Sequence, residues 1–583
     1  MSITFGLKQV IGLSLVVADH VATDPVFFGM QVVRRFPGRT VRIVGATMSK
    51  LPAHTARAIG AWCLGKNREA INIIEESSPR GISAGVLGEL ALHLGQPESA
   101  IRLAASVRNT SRRHKIEARA LWYSGHMTRA VERAPRRSQL KRRLASELRV
   151  YSGEWAPTVG KSLRVATGAD RNIDIAYMVN NSLPYTQSGY TIRTHEVLKG
   201  VQNSGLSVAA LTRTGYPTLV GKWCPGPVQN VDGVDYVRHL PTRLERTPSA
   251  RLDQQLTYLL EFLRATDAKI LHTTTHFVNG LVARQAAETL GIPWVYEVRG
   301  MLEDTWASSH PSGFEQAVQT EKYVRFRQME TLMAKSADHV VTLGATMAES
   351  LVVRGVPSER ISVVPNGVGE GILNAQTLRS PHEVRETLGV PQQGFWVGAA
   401  ASIVDYEGFD TLIDAISLLR AKGEDVRLLL VGDGVALPAL KEMARLYDVP
   451  AVFPGRVPQT LAHEFVQALD LYCIPRRDDP VCRLVTPLKP VEAAGLGRPV
   501  LLSEVPGLVE ALPSEARMTA KPGDAKAWAE AITELQRDGN LRCALSARGR
   551  EWVEQAASWS KRVEYIVATY QALSSELELD KLK

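Results

Sequence analysis

Cysteine is scarce in this chain: five in 583 residues, at positions 63, 224, 473, 482 and 543, with no CxxC pair and no metal-ligand spacing. That excludes a disulfide framework and points to a reducing compartment. Also missing is any uninterrupted apolar run of 18 residues, so no bilayer-spanning helix is expected. Val10 to Ala18 is apolar but short, stands behind a single Lys8 and lacks a clean small-residue cleavage site, so a secretory leader is not expected either. What is present is the composition of a globular protein, 45% hydrophobic and 22% charged with 45 Gly and 31 Pro, which argues against collagen, long disorder and a pure coiled coil. The length calls for several cores.

Charge is unevenly spread. Residues 1–170 carry 26 Lys and Arg against 12 Asp and Glu, a net of +14, while the remainder of the chain nets −5. The stretch 101–150 alone holds 14 basic and 3 acidic residues. An anionic partner, either a membrane surface or an acidic protein, fits this face, and so does a plain solvated helix face. Nucleic acid is not expected, because the basic stretch has no interleaved aromatics and no reading motif. Residues 1–50 form an apolar and basic segment, in which Phe27, Phe28 and Met30 could enter lipid beside Arg34 and Arg35 or pack on the next domain.

Residues 51–135 contain an internal repeat. Gly65, Gly95 and Gly125 are spaced by 30, and Ala70, Ala100 and Ala130 follow at the same offset. Glycine permits the tight turn between two helices and alanine lets the second pack closely on the first. The pattern resembles a short tetratricopeptide-type array of three stacked hairpins, with a period shorter than usual. Residues 136–170 read as a basic linker with some helix around Gln139 to Arg149.

From residue 171 apolar runs of strand length alternate with amphipathic stretches. They are Ile173 to Val179, Leu206 to Leu211, Lys269 to His272, Trp294 to Val298 and His339 to Leu343. A second series follows at Trp396 to Ala401, Val426 to Val431, Ala451 to Phe453, Leu471 to Ile474 and Pro499 to Leu502. Such alternation with buried strands predicts an α/β fold of parallel sheets covered by helices. Two series meeting near residues 365–390 predict two Rossmann-like domains facing a cleft, preceded by the all-α repeat domain. The expected boundaries are 171–370, 371–555 and a terminal segment 556–583.

The first strand leads through Asn180 to Ser188-Gly189 and into a helix from Tyr190, a place where backbone N–H groups and a helix amino end suit a phosphate. The three-glycine dinucleotide spacing is absent. His272 and His276 are too few to hold a metal without nearby carboxylates, and no metal is expected. Arg299, at the end of the next strand, suits either an anion or an ion pair with Glu297 or Asp304.

Three motifs then point to a family. Ile361 to Val368, with Pro365-Asn366-Gly367 inside it, is similar to the hinge signature of the retaining glycosyltransferases of family 4, which have the GT-B fold. Leu428 to Gly434 resembles their second-domain strand and turn, and Pro490 to Val500 resembles the helix whose Glu holds the donor ribose. The resemblance covers about residues 171–575. It implies a metal-independent hexosyltransferase with no bound cofactor that uses a nucleotide-diphosphate sugar as donor and a glycan, lipid-linked or polymer acceptor. It also implies that Gly189 lets the backbone approach the diphosphate and that Glu492 accepts from the ribose hydroxyls, two acceptor oxygens for two donors.

Departures accompany it. Ser402 and Glu407 stand where the family's basic pair is expected, Leu484 replaces a second Glu, and Arg299 replaces a His. Arg476, Arg477, Arg483 and Lys489 can restore the lost cations, and the leading candidates for the leaving-group role are Arg299, Arg483 and Lys489. Donor-site positions are Gly189, Ser402, Glu407 and Glu492. The expectation is a cytoplasmic enzyme of cell-envelope polysaccharide assembly, peripheral at the inner face of the membrane or held to a protein partner through residues 51–135. The rival readings are a catalytically silent scaffold and a nucleotide-sugar epimerase.

Overall fold

The computed structural model describes residues 3–23, 25–33, 38–158, 160, 172–374 and 379–582. Two compact units divide the chain. The first takes residues 1–185, 208–294 and 302–336; the second takes 186–207, 295–301 and 337–583.

The first unit opens with an all-helical region, running Ile3–Thr23, Pro25–Val33, Gly38–Ser49, then three helix pairs and Gln139–Tyr151. The pairs are His54–Cys63 with Asn67–Glu76, Ile82–His93 with Pro97–Ala104, and Thr110–Tyr123 with Met127–Arg133. Each pair turns on a glycine in the left-handed region, with φ +76° at Gly65, +72° at Gly95 and +79° at Gly125. The carbonyl orphaned at each helix end is met in the same way, by Lys66 N to Ala61 O at 2.9 Å, Gln96 N to Ala91 O at 2.8 Å and His126 N to Leu121 O at 2.8 Å. Ala70, Ala100 and Ala130 are fully buried where the second helices pack. A buried ion pair between Arg119 and Glu89, 2.5 Å long, joins consecutive pairs at a separation of one repeat. Arg34, Arg35 and the Phe27 side chain, on which the lipid-entry expectation for residues 1–50 rests in part, lie outside the described residues.

Tyr151, at the end of the last helix of this region, meets Phe277 at 5.0 Å and Phe326 at 5.6 Å between ring centroids, edge to face. The helical region therefore shares an aromatic core with the α/β part of its own unit. Strands there are β1 (Ile175–Val179), β2 (Val208–Thr212), β3 (Val228–Val231), β4 (Val234–Val237) and β5 (Ile270–Thr274), in the order β3-β4-β2-β1-β5. β1 runs parallel to both neighbours, Ile175 opposite Val208 on one side and Ile270 on the other. β3 and β4 form an antiparallel hairpin across Asp232-Gly233, both at positive φ. That Asp-Gly pair is the signal by which the hairpin can be found in sequence, although neither of its strands is among the apolar runs of strand length.

The second unit holds β6 (Trp294–Val298, joined from Val295), β7 (His339–Thr342) and β8 (Ile361–Val363), successive and parallel. It also holds a six-stranded sheet of β9 (Phe395–Ala400), β10 (Val426–Val431), β11 (Ala451–Gly455), β12 (Leu471–Ile474), β13 (Val500–Ser503) and β14 (Met518–Ala520). The order is β11-β10-β9-β12-β13-β14 with every pairing parallel. Buried Val, Leu and Ile on both faces, with Trp396 on β9 and Trp528 on the helix Ala525–Arg537, make its core. The terminal helix Trp559–Leu582 lies against the helix Gly189–Asn203, where Gly200 leaves room for Val563. All five cysteines are free. Among the described residues no helix is long and apolar enough to cross a membrane.

Candidate active site

A cavity of about 560 Å³ lies wholly within the second unit. Gln187, Ser188 and Gly189 bring to it the amino end of the helix Gly189–Asn203, Ser402 follows β9, Gly432-Asp433-Gly434 follow β10, Arg456 follows β11, and Lys489 and Glu492 come from the helix Lys489–Gly495. All these groups sit at the carboxyl ends of parallel strands or the amino ends of helices, where such sheets collect ligands. The helix amino end is well made: Ser188 and Thr191 form a reciprocal capping box. Nothing lies within 4 Å of where a Cβ on Gly189 would stand, so a ligand can reach its backbone N–H. The Gly432 turn is tight, with φ +134°, and a side chain there would collide with the Ala401 carbonyl.

Charges in and under the cavity are arranged around Lys489. Its Nζ donates to Glu407 at 3.0 Å, and Glu407 also accepts from Arg476 Nη2 at 3.1 Å and Nε at 3.3 Å. Burial would raise the Glu407 carboxyl, but the Arg476 and Lys489 charges outweigh it and hold the group down at about 2. Burial pushes Glu492 up to about 7 against the pull of Lys489. His463, also lining the cavity, is lowered by burial.

The seven positions singled out from sequence fall into distinct places. Gly189, Ser402, Lys489 and Glu492 line the cavity. Glu407 lies beneath it, buried and salt-bridged to Lys489. Arg483 is on the surface, paired with Asp478 by two hydrogen bonds of 2.6 Å, and does not line the cavity. Arg299 is buried and donates to Glu297 at 2.5 Å, to Thr194 at 2.8 Å and to the Tyr190 carbonyl at 2.8 Å. Of the two roles open to Arg299 in the sequence, the structure shows the ion pair, and with Glu297.

Glu297 is shared. Arg193, which sequence reasoning missed, donates to it at 2.7 Å and reaches the Val364 carbonyl at 2.9 Å and Asn366 Oδ1 at 3.2 Å. Asn366 in turn donates to the Thr486 carbonyl at 3.0 Å. The Pro365-Asn366-Gly367 segment is thus tied through a buried Arg-Glu-Arg triad to the cavity's helix. Arg456 was also missed; it is exposed on the cavity rim and forms no salt bridge among the described residues. No local pattern marks it, since its place depends on where β11 ends.

His272 and His276 take structural places in the first unit. His272 stacks on Tyr177 at 4.1 Å, and His276 caps the helix Phe277–Leu290 and is lowered by burial to about 3. Among the described residues no three His, Cys, Asp or Glu side chains are grouped to hold a metal ion.

Known proteins are similar to this chain. Residues 188–367 match the glycosyl transferase 4-like domain and residues 393–538 the glycosyl transferases group 1 family, together more than half of the chain. A D-inositol 3-phosphate glycosyltransferase from Jonesia denitrificans is 25% identical over 404 residues, 66% of this chain and 91% of that protein. Among solved structures, sucrose-phosphate synthase from Thermosynechococcus elongatus is similar with a TM-score of 0.56 at 18% identity, covering 69% of this chain and 100% of that one. Anabaena HepE in complex with UDP and glucose has a TM-score of 0.52 at 15% identity, covering 69% and 100%. The two structural likenesses establish the GT-B fold.

Proposed function

Since the chain belongs to the GT-B glycosyltransferases that join a 4-like domain to a group 1 domain, we propose that it transfers a sugar from a nucleotide-diphosphate sugar to a glycan, lipid-linked or polymer acceptor, with retention at the anomeric carbon. The observation that carries this reading is the meeting, in one cavity, of a free helix amino end at Gly189, the Lys489 cation and the Glu492 carboxyl. HepE, whose structure holds UDP and glucose, supports the donor class. The silent-scaffold and epimerase readings are not favoured.

In this mechanism the donor diphosphate lies at the amino end of the helix Gly189–Asn203, and Glu492 accepts from the ribose hydroxyls. As the glycosidic C–O bond breaks, negative charge grows on the leaving phosphate and Lys489 stabilises it. The acceptor hydroxyl attacks from the same face and its proton passes to the departing phosphate. Arg483 would exchange Asp478 for the diphosphate. Arg299 acts by holding Tyr190 and Thr194, and so the helix end, in place. The cations and the helix end supply the stabilisation that a metal would otherwise give, so we assign a metal-independent reaction. Ser402 borders the diphosphate, and Glu407 fixes Lys489 from below.

We assign residues 51–135 as a tetratricopeptide-like module for a protein partner, and the enzyme as a cytoplasmic one in the assembly of cell-envelope polysaccharide. The test of the transferase reading is a panel of nucleotide sugars, scored by binding and by released nucleotide diphosphate. One donor is expected to bind and turn over, and Glu492→Ala to weaken its binding by about tenfold to a hundredfold, the worth of one to two hydrogen bonds to a charged group. If no donor binds at millimolar concentration and Glu492→Ala changes nothing, the reading is wrong.

A further inference from the structure

We propose that the helix Ile3–Thr23, together with the loop that carries Val220 and Trp223, is a monotopic membrane-binding face that takes the surface of an anionic lipid bilayer. The inference stands apart from the donor reading, because every residue it uses lies in the first unit.

Leu7, Val10, Ile11, Leu13, Leu15 and Val17 are all exposed, between 36% and 57%, on this one helix. A contiguous apolar surface of that kind in water marks an interaction site. The helix is also fixed in place. The Gln9 side chain is buried and bonds both backbone groups of Cys224, donating from Nε2 to its carbonyl at 2.8 Å and accepting from its N–H at 3.0 Å. Next to that anchor, Val220 and Trp223 are exposed, so the apolar surface continues from the helix onto the α/β part.

Lipid is the occupant that the chemistry favours. Between Lys8 and Asp19 the helix carries no charge over ten residues, roughly 15 Å of helix, or half of the hydrocarbon core of a bilayer of about 30 Å. It can lie in one leaflet and cannot cross. Lys8 and Lys222 are exposed beside the Gln9 anchor, and Arg243 and Arg246 are exposed in the loop whose Leu244 shares a crevice with Lys8; Glu245 is the acidic exception there. A basic cluster at one end of an apolar body, with a Trp at its margin, matches an anionic headgroup layer over hydrocarbon. The neighbouring helices add a cavity of about 390 Å³ walled by Met30, Val44, Met48, Ile59, Trp62 and Leu90, among others, which suits a hydrocarbon chain and offers nothing to a polar peptide.

The test floats the full chain with phosphatidylcholine vesicles and with mixed phosphatidylcholine–phosphatidylglycerol vesicles. The protein is expected to float with the anionic vesicles, less so at high salt, and brominated lipid is expected to quench a component of its fluorescence that Trp223→Phe removes. The triple variant Val10→Glu, Leu13→Glu, Val17→Glu is expected to lose about tenfold or more in partition, and nucleotide-sugar affinity, read in parallel, to stay unchanged. Leu13→Gln is the milder variant should the triple one misfold, with a smaller loss expected. Equal flotation of wild type and both variants overturns the proposal, as does failure of the wild type to float. Lipid-free sedimentation showing a dimer that Leu13→Gln dissociates would assign the face to a second copy instead.

Discussion

Lys489 stands between two carboxyl groups that their surroundings drive in opposite directions. Glu407 is buried with two cations and stays ionised far into acid, at about 2; Glu492 is buried with only Lys489 to favour its charge and rises to about 7. The first group contributes stability that is present above the usual carboxylate range and is lost as pH falls toward 2. The second has the reverse sign: the folded state binds its proton more tightly than the unfolded chain, so its contribution is fully present below about 4.5 and fades as pH rises to about 7. Ribose hydroxyls need an acceptor, so binding favours the ionised form. We expect donor affinity to strengthen between pH 6 and 8 with a midpoint near 7, and calorimetric titration of Glu492→Gln to show this pH dependence gone. The place of Glu492 in the cavity wall was legible from its helix motif, as was its neighbour Lys489 three residues before it; the protonation state was not, because the burial that dominates it comes from residues far apart in the chain. Arg299 shows the same limit. Its position after a strand is readable, and Glu297 is one of the partners the sequence offers, but only the fold decides for Glu297 and adds Thr194.

At the scale of elements, the 30-residue spacing of glycines translated into three turns with the same hydrogen bonds, because a short helical hairpin needs a left-handed residue at a fixed place. The three sites differ in their surroundings. A Cβ on Gly95 would meet nothing within 4 Å, whereas one on Gly125 would stand 2.6 Å from the Thr320 Cβ. Gly95→Ala is therefore expected to cost about 1 kcal/mol, the backbone strain alone, and Gly125→Ala distinctly more. Urea unfolding of the two variants checks the order, and equal losses would contradict it. The strands were readable for a related reason: buried parallel strands are short apolar runs, and Trp294–Val298, Val426–Val431 and Leu471–Ile474 appear at the expected limits. β8 and β14, of three residues each, are too short to leave such a run, and β3 is not buried enough to do so.

For the whole molecule, the unit boundaries run across the sequence order, since residues 186–207 and 295–301 join the second unit while 302–336 belong to the first. Two cores of this kind are expected to unfold in separate steps. Tyr151→Ala should lower the step of the first unit by about 3–5 kcal/mol, and Trp528→Ala the step of the second by a similar amount, as large buried aromatics do. Calorimetry should show each variant moving one transition, with donor affinity unchanged by Tyr151→Ala because every cavity residue belongs to the second unit. A common shift of one transition would refute the division. By itself the sequence determined the alternation of elements, the helical repeat and the family motifs, all of which follow from local pattern and spacing. Only the tertiary structure decided which cations reach the cavity, which are spent on Glu407, Asp478 and Glu297, and that an apolar helix at residue 3 is pinned to Cys224. Those outcomes depend on groups that chain order separates and packing brings to hydrogen-bond distance.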